Sequence, residues 1–129
     1  MNNLKPKIYE EEFDYIFSKK AYCVRGATVI SALIEWQILS LATIFLRDKE
    51  VVHKPEPNQE YNQSFNVLRV NKVLTPEKLE EIKKFRTERN KSIHNIFKGM
   101  TREEWGKQNN LVVKLGRSIV KKLDARLYP

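Results

Sequence analysis

The sequence predicts an all-α protein, a single domain over residues 1–129 built as an up-and-down bundle of four or five helices. Three observations predict this fold class. Apolar residues make up 41% of the chain and charged residues 31%, which is typical of a globular protein and not of a disordered one. The turn-forming residues that a β-rich protein needs are scarce, with 4 Gly and 5 Pro in 129 residues. Apolar residues recur at helical spacing, and no alternating strand pattern competes with them.

The first two helices are predicted from apolar spacing and one cap. Residues 8–17 carry Phe13 and Phe17 at the four-residue interval of an amphipathic helix. Ser18 is a candidate cap for a long helix over residues 19–46, because Ser readily accepts a hydrogen bond from the first free backbone amides of a helix.

The apolar stretch 26–46 is long enough to cross a membrane, since it has 21 residues and one charge. That charge is Glu35, near its centre, and an ionised carboxylate at mid-bilayer costs about 3 kcal/mol. A buried helix of a bundle, without membrane contact, is therefore the prediction. A carboxylate in a core helix needs a cationic or hydrogen-bonding partner, so Glu35 is predicted to pair with an Arg or His.

A third, short helix is predicted over residues 58–68, where Tyr61, Phe65 and Leu68 have i, i+4, i+7 spacing. The surrounding segment 48–74 is weaker in helical signal, because it holds two prolines and four asparagines.

The last two helices have clear start and stop signals. Thr75 as cap and Pro76 at the first position predict a helix to about residue 98, which Gly99 ends. Thr101 and Glu104 form a capping box that opens a final helix to about residue 127, antiparallel to the one before it. The predicted core face of this final helix consists of Trp105, Val112, Leu115, Ile119, Leu123 and Leu127.

The charge balance favours a polyanionic partner. The chain has 24 Lys and Arg against 16 Asp and Glu, a net charge of +8, so RNA or DNA is expected before an anionic membrane. The last helix is especially basic, and Lys114, Arg117 and Lys121 have the i, i+3, i+7 spacing that can follow one phosphate track. These three residues and Lys91 are the predicted RNA contacts.

Neither a metal nor a cofactor is predicted. The only cysteine, Cys23, excludes an internal disulfide and a Cys-based zinc site, is assigned to packing inside the long helix, and favours a cytoplasmic location. His53 has no second ligand at metal spacing, and the chain has no glycine-rich phosphate loop or nucleophile elbow. No signal peptide is expected, because residues 1–12 carry no apolar run.

Polar residues concentrate in the fourth predicted helix. The predicted apolar side of this helix, which faces the core, consists of Leu79, Ile82, Phe85, Ile93, Ile96 and Phe97. Arg89 falls among these residues, so a cation is predicted near the core and within reach of Glu35. Arg86, Asn90 and His94 are four apart and form one polar row. Two interpretations are open. Arg89 either only neutralises Glu35 beside an ordinary histidine, or it converges with Asn90 and His94 on a functional groove.

Residues 89–94, Arg-Asn-Lys-Ser-Ile-His, resemble the R-x4-6-H signature of HEPN domains, in which a polar residue, most often Asn, follows the Arg. The resemblance in helix order and length covers nearly the whole chain. It implies a metal-independent endoribonuclease, in a toxin, defence or RNA-processing setting, that acts as a homodimer with two copies of the motif across one cleft. The 2′-hydroxyl of RNA would attack the adjacent phosphate and leave a 2′,3′-cyclic phosphate.

The resemblance also implies a role for each motif residue. His94 would transfer protons and Arg89 would stabilise charge on the phosphate, tasks that suit imidazole and guanidinium groups. Asn90 would orient His94 or contact the phosphate. That Glu35 holds Arg89 in place is our own inference from the carboxylate in the long helix, and Arg86 is a further supporting residue.

The chain departs from one HEPN pattern. Toxins paired with a minimal nucleotidyltransferase often continue as R-x4-H-x-Y, and Ile96 stands at the Tyr position here. Modification at that position is therefore not expected, and whether a cognate antitoxin or another regulator binds is left open. The alternative function is a non-catalytic helical module of the same fold that binds RNA or a protein.

Overall fold

The computed structural model describes residues 7–48, 60–95 and 98–129, and these residues form five α-helices, one short 3-10 turn and no strand. The all-α prediction is confirmed. The helices are α1 (Lys7–Ile16), α2 (Val24–Asp48), α3 (Glu60–Val70), α4 (Pro76–Asn95) and α5 (Arg102–Leu127), with the 3-10 turn at Lys19–Ala21.

The long helix begins later than predicted. Ser18 precedes the 3-10 turn without a side-chain cap, and α2 starts only at Val24. Cys23 lies just before α2, where its sulfur accepts a hydrogen bond from the amide of Gly26. The packing role inside the helix that was predicted for Cys23 is therefore wrong. The tight turn requires glycine, because a Cβ at Gly26 would overlap the carbonyl of Ala21.

The predicted start signals of the last helices are confirmed. Thr75 Oγ1 accepts from the amide of Lys78 at 3.3 Å, at the start of α4. Thr101 and Glu104 form the reciprocal capping box of α5, with hydrogen bonds of 3.1 and 3.2 Å. Gly99 has a φ of 74°, the left-handed conformation that ends helices. The described part of α4 ends at Asn95, and Ile96 lies outside the described residues, as does His53.

The core is built around α2 and α5. α2 packs mainly against α5 and α3, and α4 packs against α5. At the centre, Gly116 of α5 faces Ile30 of α2 and the ring of Phe85 of α4, and a Cβ at this glycine would overlap both. The predicted core face of α5 is confirmed, since Val112, Ile119, Leu123 and Leu127 are buried and Trp105 and Leu115 are partly buried.

One buried polar network ties α1 and α2 to the C-terminal part of α5. Gln37 Nε2 donates to the hydroxyl of Tyr9 at 3.0 Å and to the carbonyl of Val120 at 2.9 Å. The Tyr9 hydroxyl donates to Asp124 Oδ1 at 2.7 Å. Burial raises the pKa of Tyr9, so its hydroxyl stays protonated and can keep this bond.

By length and composition α2 is a helix that could cross a membrane. Its buried residues form one stripe, which faces the other helices, and not the whole circumference. Ile30, Ile34 and Ile38 lie in that stripe, whereas Glu35 is exposed. The predicted burial of Glu35 is therefore wrong, because the sequence pattern was interpreted as apolar on all sides.

Candidate functional site

The second half of α4 carries the sequence motif, and the start of α5 fixes its position. Trp105 Nε1 donates to the carbonyl oxygen of Ser92 at 3.1 Å. Gln108 Nε2 donates to the carbonyl oxygen of Glu88 at 3.1 Å and to its carboxylate at 2.8 Å. The bond from Gln108, helped by Lys91, lowers the pKa of Glu88. Two side chains of α5 therefore hold the α4 backbone on both sides of Arg89 and Asn90.

Arg89 is a partly buried cation without a carboxylate partner among the described residues. Its Nη2 donates to Oδ1 of the neighbouring Asn90 at 3.0 Å. Its Nε is buried and has no hydrogen-bond partner within residues 7–48, 60–95 and 98–129. In the described part of the chain it forms no ion pair with any Asp or Glu. Most of its donors are therefore unused by the residues that the structure describes.

Glu35 does not pair with Arg89, and the predicted support of Arg89 by this carboxylate is wrong. Glu35 is exposed on α2, and within the described ranges it forms no ion pair. An exposed carboxylate is solvated by water and needs no buried cation. Its charge acts weakly on Tyr61 of α3, whose pKa is raised chiefly by burial.

Arg86 packs against α3. Its guanidinium lies 4.2 Å from the centroid of the Tyr61 ring, in cation-π contact. Arg86 lowers the pKa of Tyr61 and so opposes the effect of burial on that phenol. Arg86, the first residue of the predicted polar row with Asn90 and His94, therefore packs between helices.

His94 lies in the last turn of α4 and is exposed. It follows Arg89 by five positions in the helix, which corresponds to about 140° around the axis and about 7.5 Å along it. Asn90, one turn before His94, is exposed on nearly the same side and is bonded to Arg89. Within one chain Arg89 is therefore bonded to Asn90, whereas His94 lies on a different side of α4 from Arg89.

Ile93, predicted to belong to the core face of α4, is 50% exposed, so that prediction is wrong. Val24, at the start of α2, is 48% exposed and lines the same small cleft as Ile93 and Arg89. An exposed apolar pair thus lies directly beside the motif.

Sequence reasoning missed two polar residues next to Arg89. Ser92 and Asn109 are buried and line the cleft with it. Asn109 could have been found from spacing, since it precedes the buried Val112 by three residues and Val113 by four, and so falls on the core face of α5. Ser92, three residues after Arg89, gives no comparable signal.

The predicted basic track is interrupted. Lys114 and Lys121 are exposed, and Lys91 is exposed and pairs with Glu88 at 3.4 Å. Arg117, in contrast, turns toward the protein. It donates to the carbonyl oxygens of Ile16 and Ser18 and to the Tyr22 hydroxyl. Arg117 therefore caps the carboxyl end of α1, and its assignment as an RNA contact is corrected.

Within the described ranges, no group of three or more His, Cys, Asp and Glu side chains could hold a metal ion. Comparison with known proteins found no matching family model, no matching curated protein and no matching solved structure.

Proposed function

We propose that this chain is a metal-independent endoribonuclease of the HEPN type, active as a homodimer in the cytoplasm. The proposal rests on the burial and the bonding of Arg89. This residue is partly buried, has no carboxylate partner among the described residues and is bonded to Asn90. It precedes the exposed His94 by five residues on one helix of an all-α bundle.

The free donors of Arg89 suit a phosphate group. A guanidinium that keeps its donors unused can bind two phosphate oxygens and stabilise the additional negative charge of the transition state. Asn90 restrains the guanidinium through its bond to Nη2. His94 is accessible, and imidazole can both accept and donate a proton near neutral pH.

The reaction would be attack of the RNA 2′-hydroxyl on the adjacent phosphorus. One His94 removes the proton of the 2′-hydroxyl, and the other protonates the departing 5′-oxygen, so that a 2′,3′-cyclic phosphate and a 5′-hydroxyl result. A single His94 cannot conveniently perform both steps in one turnover. Because Arg89 and His94 lie on different sides of α4, a second copy is also the simplest way to bring an Arg and a His to the same phosphate.

A two-fold dimer would cover the apolar surface beside the motif. Val24 and Ile93 are half exposed, and isologous interfaces commonly place such residues at their centres. Lys114 and Lys121 remain available on α5 for the phosphates that flank the cleavage site. The net charge of +8 would favour the approach of RNA.

The test is incubation of the purified protein with end-labelled RNAs of varied sequence and structure in the presence of EDTA. The proposal expects cleavage that produces 2′,3′-cyclic phosphate ends, as shown by sensitivity of the products to a cyclic phosphodiesterase. Binding of RNA without cleavage on every substrate would discard the nuclease in favour of the binding-module alternative.

A further inference from the structure

Unsatisfied polar atoms are concentrated in one small cleft. The described residues contain six buried side-chain atoms without a hydrogen-bond partner. Three of the six, Arg89 Nε, Ser92 Oγ and Asn109 Nδ2, belong to residues that line the cleft between α2, α4 and α5. Ser92 is 3% exposed and Asn109 is 2% exposed, so bulk water does not compensate them.

Among the described residues these three atoms have no hydrogen-bond partner, and an added acceptor could satisfy each of them. Arg89 Nε and Asn109 Nδ2 can only donate, and Ser92 Oγ can donate or accept. Buried donors of this kind normally have a partner, because leaving them unpaired destabilises the fold. The positive charge of Arg89 favours an anionic oxygen over a neutral one. Among the described residues that line the cleft none is acidic.

The size of the cleft limits what can enter. Its volume is about 30 Å³, room for about one water-sized group. That space accepts a single oxygen atom and excludes a nucleobase or a ribose. Val24 and Ile93, both about half exposed, reach the surface at the cleft, so the rest of a larger ligand can stay outside.

We propose that the cleft binds one non-bridging oxygen of a phosphate group, with Arg89, Asn109 and Ser92 as its hydrogen-bond donors. Asn109 and Ser92 are then positioning residues for the phosphate that Arg89 contacts. That this phosphate belongs to the RNA backbone rests on the proposed function. Binding of inorganic phosphate does not.

Asn109→Asp tests the site directly, because it places a carboxylate where the anion would enter. The added negative charge would compete with an entering anion for the guanidinium of Arg89, which lines the same cleft. The probe is inorganic phosphate, titrated at constant ionic strength while the indole N–H of Trp105, which also lines the cleft, is followed by NMR. The wild-type protein should show a saturable shift. Asn109→Asp should weaken phosphate binding at least about tenfold, the effect of losing one charge-assisted hydrogen bond.

Asn110→Asp is the matched control, since it makes the same charge change at the next, exposed residue and should bind phosphate as the wild type does. The proposal is overturned if the wild type shows no saturable shift, or if the two variants titrate alike. Should Asn109→Asp not fold, Ser92→Ala removes only the hydroxyl, and undiminished phosphate binding by that variant would overturn the proposal equally.

The same measurements separate this site from the nuclease. If the protein binds phosphate in a way that depends on Asn109 but cleaves no RNA, the phosphate site stands and the nuclease function is wrong. Cleavage of RNA by a protein that binds no phosphate in the cleft would do the reverse.

Discussion

Trp105, in the first turn of α5, donates a hydrogen bond from its indole to the carbonyl oxygen of Ser92 on α4, 3.1 Å away. This bond and the two bonds from Gln108 to Glu88 hold the start of α5 against α4, the helix that carries Arg89 and His94. The capping box of Thr101 and Glu104 fixes where α5 begins. The position of the motif relative to α5 therefore depends on this capping box, which can be recognised in the sequence.

The Gln108–Glu88 bond predicts a pH dependence of stability. The pKa of Glu88 is lowered in the folded state, so its ionised form favours folding above the ordinary pKa of a Glu. That contribution is lost as the pH falls through the lowered value. In urea denaturation, Glu88→Gln should be less stable than the wild type at pH 7, and the two should converge toward pH 3.

Glu80→Gln is the control for this measurement, because Glu80 is exposed, lies beyond the first turn of α4 and pairs with Lys83 on the surface. It should match the wild type closely at both pH values. A difference between Glu88→Gln and wild type that persists unchanged at pH 3 would show that the ionised carboxylate is not the cause.

The contacts of Arg117 predict that replacing this residue lowers the stability of the fold and does not lower the affinity for RNA. Its guanidinium donates to the carbonyl oxygen of Ile16, the last residue of α1, and to that of Ser18 in the turn that follows. Hydrogen bonds to a charged donor are each worth about 1.5–3 kcal/mol, so Arg117→Met should lower the free energy of unfolding by about 3 kcal/mol. Lys114→Met, one turn earlier on the exposed face, should change it by less than about 0.5 kcal/mol. Equal stability of the two variants in urea denaturation would contradict the capping role.

How far the sequence predicts this molecule depends on how local each signal is. The helices at Pro76 and Arg102 begin where Thr75 and Thr101 indicate, because a cap acts on amides two or three residues away. The start of α2 was placed five residues early, since the close approach of Gly26 to Ala21 that forms the preceding turn is not a cap pattern.

The site residues divide in the same way. The motif places Arg89, Asn90 and His94 on one helix, and the structure confirms that placement. The partners of Arg89 and Arg117 depend instead on contacts between helices far apart in the chain. A net apolar stretch does not reveal which side of α2 faces outward, so Glu35 was assigned to Arg89. The carbonyl oxygens that engage Arg117 are 99 and 101 residues away, beyond any spacing rule.

The exposed lysines of α5 predict where RNA lies. Lys114→Glu combined with Lys121→Glu should weaken RNA binding for all sequences alike and reduce its dependence on salt, because phosphate contacts carry no base information. Fluorescence anisotropy at several salt concentrations measures both effects. Lys7→Glu combined with Lys19→Glu makes the same charge change at α1 and the 3-10 turn after it, and an equal loss of affinity in that variant would attribute the effect to net charge alone.

The apolar residue between Ser92 and His94 predicts the dimer face. Ile93→Asp should convert a dimer into a monomer in analytical ultracentrifugation, because a two-fold interface would place the charge against its own copy. Val70→Asp is the matched control, since Val70 is 64% exposed at the end of α3, a helix that does not carry the motif. If Ile93→Asp remains dimeric, or the wild type is a monomer at micromolar concentration, α4 does not form the interface and the composite site is discarded.

His94 gives the decisive prediction, because the catalytic and the purely structural interpretations of the motif require opposite results. It is exposed and forms no hydrogen bond among the described residues, so its removal should leave the fold, the dimer and RNA binding intact. If His94 transfers protons, His94→Ala should reduce the cleavage rate by about 10²- to 10⁴-fold, the usual effect of general acid–base catalysis. His53→Ala, at the other histidine of the chain, should cleave at the wild-type rate. An active His94→Ala dimer would show that the imidazole takes no part in the chemistry, and the nuclease mechanism proposed for Arg89 and His94 would be wrong.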